Sequence, residues 1–369
     1  MKRIANASRI LIGVVFIFSG FVKGVDQLGT AYKLEDYFIA FNWDFLTPFA
    51  LFFSIALCTL EFTIGVMVLL NLRLKVTSWL LLGMMAFFTA LTLNDALYSP
   101  VPDCGCFGEA IKLTNWQTFY KNLILLPFAI TIFSYRRKFN PFTSISKQWI
   151  LTGFIVALFA GFSFWNYTHL PLFDFTEWKT GHKLYLDNPK QIKYYLTYKN
   201  KNTGEEKEYL SPDYPFNDSL WMAQWEFVSQ RVEDPNNYVG KSLVISDTSG
   251  NNVTASIIRN PDYQLIVNSY DLSTADRKAF VKLNAFCAKA YADGIPTAVL
   301  VSSQPADIAK FANENKLRLD FYTSDDIVLK TIVRSNPGLL LMKDGVILKK
   351  WNHNDIPDYE DFKKSLGTK

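Results

Sequence analysis

Apolar residues along this chain fall into two regimes. Up to about residue 170 they come in long runs with short polar breaks. Beyond it they recur at periods of two and of three to four. Five runs have the length a membrane-crossing helix needs, about 17–25 residues. They cover residues 4–22, 46–70, 76–93, 113–135 and 148–167. The second contains Glu61, the fourth contains Lys121 and Pro127, and the third and fifth carry no charge. Trp149, Trp165 and Tyr167 mark the ends of the fifth, as an aromatic belt does. Between the first two runs, Tyr32, Leu34, Tyr37, Phe38 and Phe41 stand at near-helical spacing. They predict a short amphipathic helix lying on the membrane surface within residues 26–44.

The second regime predicts alternating strands and helices. Residues 191–199 alternate apolar and polar positions, and 206–210 return after a turn holding Asn202 and Gly204, which is a hairpin pattern. Residues 212–227 are aromatic and read as a loop with a short helix, packing as core or lining an aromatic groove. Strands are expected at 264–270, 297–302 and 318–322, and helices at 274–292, 305–315 and 325–333. A hairpin, 338–343 with 346–351, turns at Lys343-Asp344-Gly345, and 358–366 closes as a helix. This order predicts an α/β layer.

Charge divides the chain at the same place. Of 72 charged residues only 21 lie in 1–170, which excludes a single water-soluble domain. A hydrophobic content of 49% excludes a disordered chain, and a net charge of +4 argues against a nucleic-acid surface. With the N-terminus inside, the inner segments hold Lys2, Arg3, Arg9, Arg73, Lys75, 136–138 and Lys147 and no acid, while seven acids fall outside. The positive-inside rule then places the C-terminal half outside the cytoplasmic membrane, in the periplasm of a two-membrane bacterium. The first run could serve as a signal peptide, but no convincing small-residue cleavage site follows, so a retained helix is expected.

The four cysteines differ in setting. Cys58 lies mid-run and Cys287 in an apolar helix, both as core fillers. Cys104 and Cys106 lie in the outer loop Asp103-Cys104-Gly105-Cys106-Phe107-Gly108, approached through Pro100 and Pro102. An oxidising compartment favours disulfides, and a pair one residue apart closes only a small, strained and reducible ring. A redox dithiol, a structural turn and a metal site remain open readings. Two thiolates need further ligands, and His169, His182 and His353 have no ligand-like partner nearby in sequence, so no metal is expected. Lys23 and Asp95 end the first and third runs at the depth of this loop. An ammonium there favours the thiolate and an acid can shuttle its proton; otherwise they are an interfacial anchor and a helix-end polar residue. Glu61 handles protons or makes a helix–helix hydrogen bond.

Three of these segments carry a resemblance. Ser19-Gly20-Phe21-Val22-Lys23, Leu60-Glu61-Phe62-Thr63-Ile64-Gly65 and Cys104-Gly105-Cys106-Phe107-Gly108 resemble the MauE/DoxX group of redox-associated membrane proteins, over residues 4–135. The resemblance implies membrane redox chemistry or maturation of a disulfide-rich periplasmic enzyme. Residues 243–366 resemble exported thioredoxin-like domains of the TlpA and peroxiredoxin type. Asn336-Pro337-Gly338 matches the cis-proline of that fold, making Pro337 its candidate. That fold's dithiol would fall in 271–276, where there is no cysteine, so the domain is expected to dock or cap rather than exchange disulfides.

The expected fold is multi-domain. An all-α transmembrane bundle of four helices (1–138) and a fifth span (148–168) precede a hairpin and aromatic linker (171–242). An exported α/β thioredoxin-like domain without the dithiol (243–369) follows. The expected function is thiol–disulfide redox or maturation through Cys104 and Cys106, supported by Lys23, Glu61 and Asp95. Whether this amounts to an enzyme, a thiol–disulfide oxidoreductase, stays open. The expected partners are an exported thiol protein or a membrane electron acceptor such as a quinone, together with lipid and without nucleic acid. The alternative is a non-catalytic membrane scaffold whose exported domain binds a partner.

Overall fold

The computed structural model describes residues 2–140, 143–236 and 238–367. Six helices open the chain: α1 (Lys2–Val25), α2 (Gln27–Ala40), α3 (Ala50–Leu69), α4 (Leu74–Tyr98), α5 (Asn115–Tyr135) and α6 (Ile145–Thr168). Four segments are long and apolar enough to cross a membrane: Arg3–Val25, Asp44–Leu69, Leu74–Tyr98 and Ile145–Thr168. The expected fourth span, α5, is not among them, because Gln117, Thr118, Lys121 and Asn122 occupy its first two turns. It still packs in the bundle. Its Leu125, Ala129 and Ile132 share a buried core with Ile12 and Phe16 of α1, Ile64 and Val68 of α3, and Leu81 and Met85 of α4.

Small residues set how closely α1 and α3 approach. A Cβ on Gly20 would lie 2.7 Å from the Phe62 nitrogen, and one on Gly65 2.6 Å from the Ile17 nitrogen. Bundles in lipid gain packing by such close backbone contact. Helix α6 lies on the outside of this pair, with Phe159 stacked on Phe62 at 4.0 Å between ring centroids. The amphipathic segment forms helix α2, capped by Asp26, whose carboxylate accepts from the Gly29 amide at 2.9 Å.

The second region begins with β1 (Lys193–Asn200) and β2 (Glu206–Leu210), the expected hairpin. Short α7 (Ser219–Gln224) follows, then β3 (Trp225–Glu233), which pairs antiparallel with the other edge of β1. The sequence reading had no strand there. A cross-strand aromatic partner on β1 supplies what its own pattern lacked: Tyr198 packs on Phe227 at 5.8 Å, and Trp221 of α7 packs on the same tyrosine at 4.8 Å.

The remaining elements are α8 (Thr254–Ile258), β4 (Tyr263–Ser269), α9 (Arg277–Ala292), β5 (Thr297–Val301), α10 (Pro305–Glu314), β6 (Phe321–Thr323), α11 (Asp326–Ile332), β7 (Gly338–Lys343), β8 (Val346–Asn352) and α12 (Tyr359–Gly367). The strands form one sheet in the order β6-β5-β4-β7-β8. Strands β4, β5 and β6 run parallel, while β7 is antiparallel to β4 and β8 to β7. Strand residues alternate between two cores. Leu265, Val267, Val299 and Leu339 face α9, α10 and α12; Ile266, Leu300 and Leu340 face α8 and α11. Cys287 is buried in the first core and Cys58 in the bundle. The chain is thus an α bundle followed by an α/β region, and the Asn336–Pro337 peptide is cis.

Candidate functional site

The loop between α4 and α5 carries Cys104 and Cys106. Gly105 and Gly108 adopt φ of +63° and +52°, and the Gly108 amide donates to the Gly105 carbonyl at 2.9 Å. Glycine takes this left-handed conformation without the penalty a Cβ brings. The result is a tight turn with the Cys104 and Cys106 sulfurs 3.2 Å apart.

Three elements hold the turn in place. From α1, the Ser19 hydroxyl donates to the Cys106 carbonyl at 2.7 Å. From α2, Lys33 pairs with Asp103 at 2.9 Å. From α5, the Lys121 ammonium lies 4.3 Å from the centre of the Phe107 ring. At its start, Asn115 donates to the Val101 carbonyl at 3.3 Å.

Below the turn is a cavity of about 180 Å³. Its polar wall holds Cys104, Cys106, Lys23 and Glu61, and its apolar wall holds Leu57, Phe88 and Leu91. Lys23 and Glu61, both buried, form an ion pair across the α1–α3 contact. A charge in hydrocarbon is costly alone, and the pairing explains why each tolerates the site. The Tyr37 hydroxyl of α2 donates to Asp95 at 2.7 Å, and the Tyr37 side chain also lines the cavity. Asp95 is fully buried behind it.

The two thiols are not equivalent. The Cys104 S–H donating to the Cys106 sulfur, with the Lys121 and Lys23 ammonium groups near, pulls Cys106 down to about 6. Cys104 is pushed well above its ordinary value by that same hydrogen bond and by burial. Cys106 therefore carries the thiolate, the nucleophilic form, at neutral pH.

The structure brings Cys104, Cys106, Lys23 and Glu61 around one cavity and sets Asp95 one hydrogen bond behind it. Pro337 is not part of this site. It precedes β7, where the Asn336 amide donates to the Asp271 carbonyl at 2.7 Å. Three residues earlier, however, Arg334 reaches the cavity wall. Its guanidinium contacts the Asp26 carboxylate at 2.7, 2.9 and 3.1 Å, with both side chains buried. Ser19, Tyr37, Lys33 and Arg334 were not read as site residues. For Lys33 and Tyr37 a signal existed: with Asp26 and Thr30 they share one face of α2 at helical spacing. Among the described residues no group of three or more His, Cys, Asp or Glu could hold a metal ion.

Residues 1–135 match the family model of the methylamine utilisation protein MauE. The MauE match ends where α5 ends. It takes in the whole dithiol cavity and leaves α6 and the α/β region outside. No curated protein and no solved structure gives a significant match. By its four apolar helices and the MauE match, this is a multi-pass membrane protein.

Proposed function

We propose that the chain is a membrane-embedded thiol–disulfide redox or maturation factor working through Cys104 and Cys106 at the outer face of the cytoplasmic membrane. The observation that carries this reading is the adjacent sulfur pair, one thiol acidified and one not, over a cavity with a buried Lys23–Glu61 pair. The exchange is reversible, an oxidised pair at rest accepting electrons from a partner dithiol; run from the reduced pair, the Cys106 thiolate attacks a partner disulfide and releases one partner thiolate. Cys104 then displaces the second from the mixed disulfide. The pair becomes a disulfide and the partner, once solvent has protonated its thiolates, a dithiol, with two electrons transferred. Alternatively a quinone accepts the two electrons and two protons and becomes a quinol; the apolar wall of Leu57, Phe88 and Leu91 suits such a ring.

The MauE match, with its description of methylamine utilisation, supports an exported enzyme under maturation as the partner class. The DoxX likeness points to the same membrane redox chemistry. Counting α5 as a crossing, as its packing in the bundle core favours, the positive-inside pattern supports an inner N-terminus and an exported C-terminal region; with α5 left out, the four remaining spans would return the C-terminal region to the inner side. We read residues 243–369 as a thioredoxin-like domain without its dithiol, supported by three parallel strands beside an antiparallel hairpin and a cis proline before β7. Ser273 and Asp276, at the position of the missing dithiol, hydrogen-bond Asp271 and cap α9 respectively.

Acid quenching of native membranes followed by maleimide labelling tests the redox reading. It expects an oxidised Cys104–Cys106 pair and a partner trapped on Cys106 in Cys104→Ser. Two reduced thiols and no adduct would overturn it. A scaffold reading rests on the cysteine-free 271–276 segment. It expects a cross-linked partner to persist in the Cys104→Ser/Cys106→Ser double variant.

A further inference from the structure

The proposed dithiol exchange leaves one proton unexplained. While Cys106 is a thiolate, the Cys104 S–H points at it, across 3.2 Å. Once Cys106 is capped in a mixed disulfide, that acceptor is gone. Cys104 must then lose its proton before it can attack, and burial holds the thiol back.

The neighbour on the other side of Cys104 is Tyr37. Its side chain is 8% exposed, its hydroxyl lies beside the Cys104 sulfur, and it donates to Asp95 at 2.7 Å. Asp95 is 0% exposed, and its second carboxylate oxygen has no hydrogen-bond partner. A buried carboxylate with an unused oxygen is a proton acceptor waiting for a donor. Tyr37 is the only group the geometry places between it and the thiol among the described residues.

We infer that Tyr37 and Asp95 form the proton path for the resolving step, acting on the reaction proposed above. The Cys104 proton passes to the Tyr37 oxygen as the Tyr37 proton passes to Asp95. The freed sulfur pair bonds to the Cys106 sulfur, and the bond from Cys106 to the partner sulfur breaks. The partner leaves as a thiolate, and it is the partner disulfide that has been reduced. Tyr37 touches the reacting sulfur, whereas Asp95 acts through it and is a positioning and proton-storing residue.

Other titratable groups face the same space. Lys33 comes from α2, Lys23 from α1, Glu61 from α3, Lys121 from α5, and Asp103 and Cys106 from the loop. Asp26 and Glu109 also line it; Lys23 is paired with Glu61, Lys33 with Asp103, Arg334 with Asp26 and Lys112 with Glu109, so none of these four acids is free to take the Cys104 proton.

Stopped-flow reaction of the reduced full-length protein in detergent with Ellman's disulfide separates the two steps. The first thionitrobenzoate released reports attack by Cys106, and the second reports resolution by Cys104. In Tyr37→Phe the first phase should keep its rate. The second should slow by about a hundredfold near neutral pH, the low side of what a positioned base contributes. It should recover only as pH rises above the ordinary thiol range, about 8.5, because burial holds the Cys104 thiol higher than that. Asp95→Asn should do the same, without removing the tyrosine.

A second phase unchanged in both variants overturns the proton path and leaves the dithiol reading standing. Equal slowing of both phases, not rescued by pH, is a packing effect and also overturns it. If the unaltered protein releases no thionitrobenzoate, or if Cys104→Ser still releases two equivalents, the dithiol reading itself falls and takes the path with it.

Discussion

The buried contact between Asp26 and Arg334 joins residues 308 apart in sequence, one on the dithiol cavity wall and one in the α/β region. Asp26→Asn and Arg334→Met are the informative changes. Asparagine still caps α2 through the Gly29 amide, and methionine keeps much of the arginine stem, so each removes charge with little else. At 2.7 Å and an effective dielectric of about 20, the attraction is roughly 6 kcal/mol. Desolvation offsets much of that. Removing one partner, however, strands a charge in a site where the other is 4–5% exposed, which costs about 3–5 kcal/mol. The docked-to-undocked ratio should fall more than a hundredfold.

Hydrogen exchange on the full-length protein in detergent would read this directly. The amides of α2 and α11 should exchange faster in each single variant by that factor. In the double variant no charge is left stranded, so its loss should be well under the sum of the two singles. Added salt should change little, since the pair is out of reach of counterions. Single variants within about threefold of the parent, or a double variant equal to the sum, would refute the reasoning.

Four further outcomes are expected. Alkylation of Cys106 in the reduced protein should be half-maximal near pH 6 and fall below it, as the thiolate is protonated. Replacing Cys104 by alanine removes the S–H donor and should move that midpoint upward, read by maleimide labelling against pH. Gly65→Ala should lower the melting temperature in detergent by pushing α1 off α3, at a cost of about 1–3 kcal/mol. Lys23→Met should destabilise the bundle by leaving Glu61 buried without its partner, and Lys23→Met/Glu61→Leu should recover part of the loss, read by the same melting temperature.

Much of the fold was legible because its signals are local. Apolar run length marked the helices of the bundle, and short apolar runs bounded by turn residues marked β4, β5, β7 and β8 within a residue or two. Helix α5 was read as a span from its apolar second half, but the polar first two turns keep it from meeting the same test as the other four. Strand β3 was missed because its apolar positions pack on β1 aromatics that lie some thirty residues earlier. Cys104 and Cys106 stood out because their chemistry is written in adjacent residues. Glu61 and Lys23 were each noticed, yet as separate features, because nothing in the sequence says that a residue in one helix meets another 38 positions on.

By itself, then, the sequence determined a membrane-type half, an α/β half and a dithiol in the loop between α4 and α5, since each depends on residues within one or two helical turns. Tertiary structure decided which ionisable groups meet. Close packing through Gly20 and Gly65 sets Lys23 on Glu61, α2 sets Tyr37 on Asp95, and docking of the α/β region sets Arg334 on Asp26. A buried charge is stable only when its partner is within a few ångströms. That partner can come from anywhere in the chain, so periodicity and spacing do not show it.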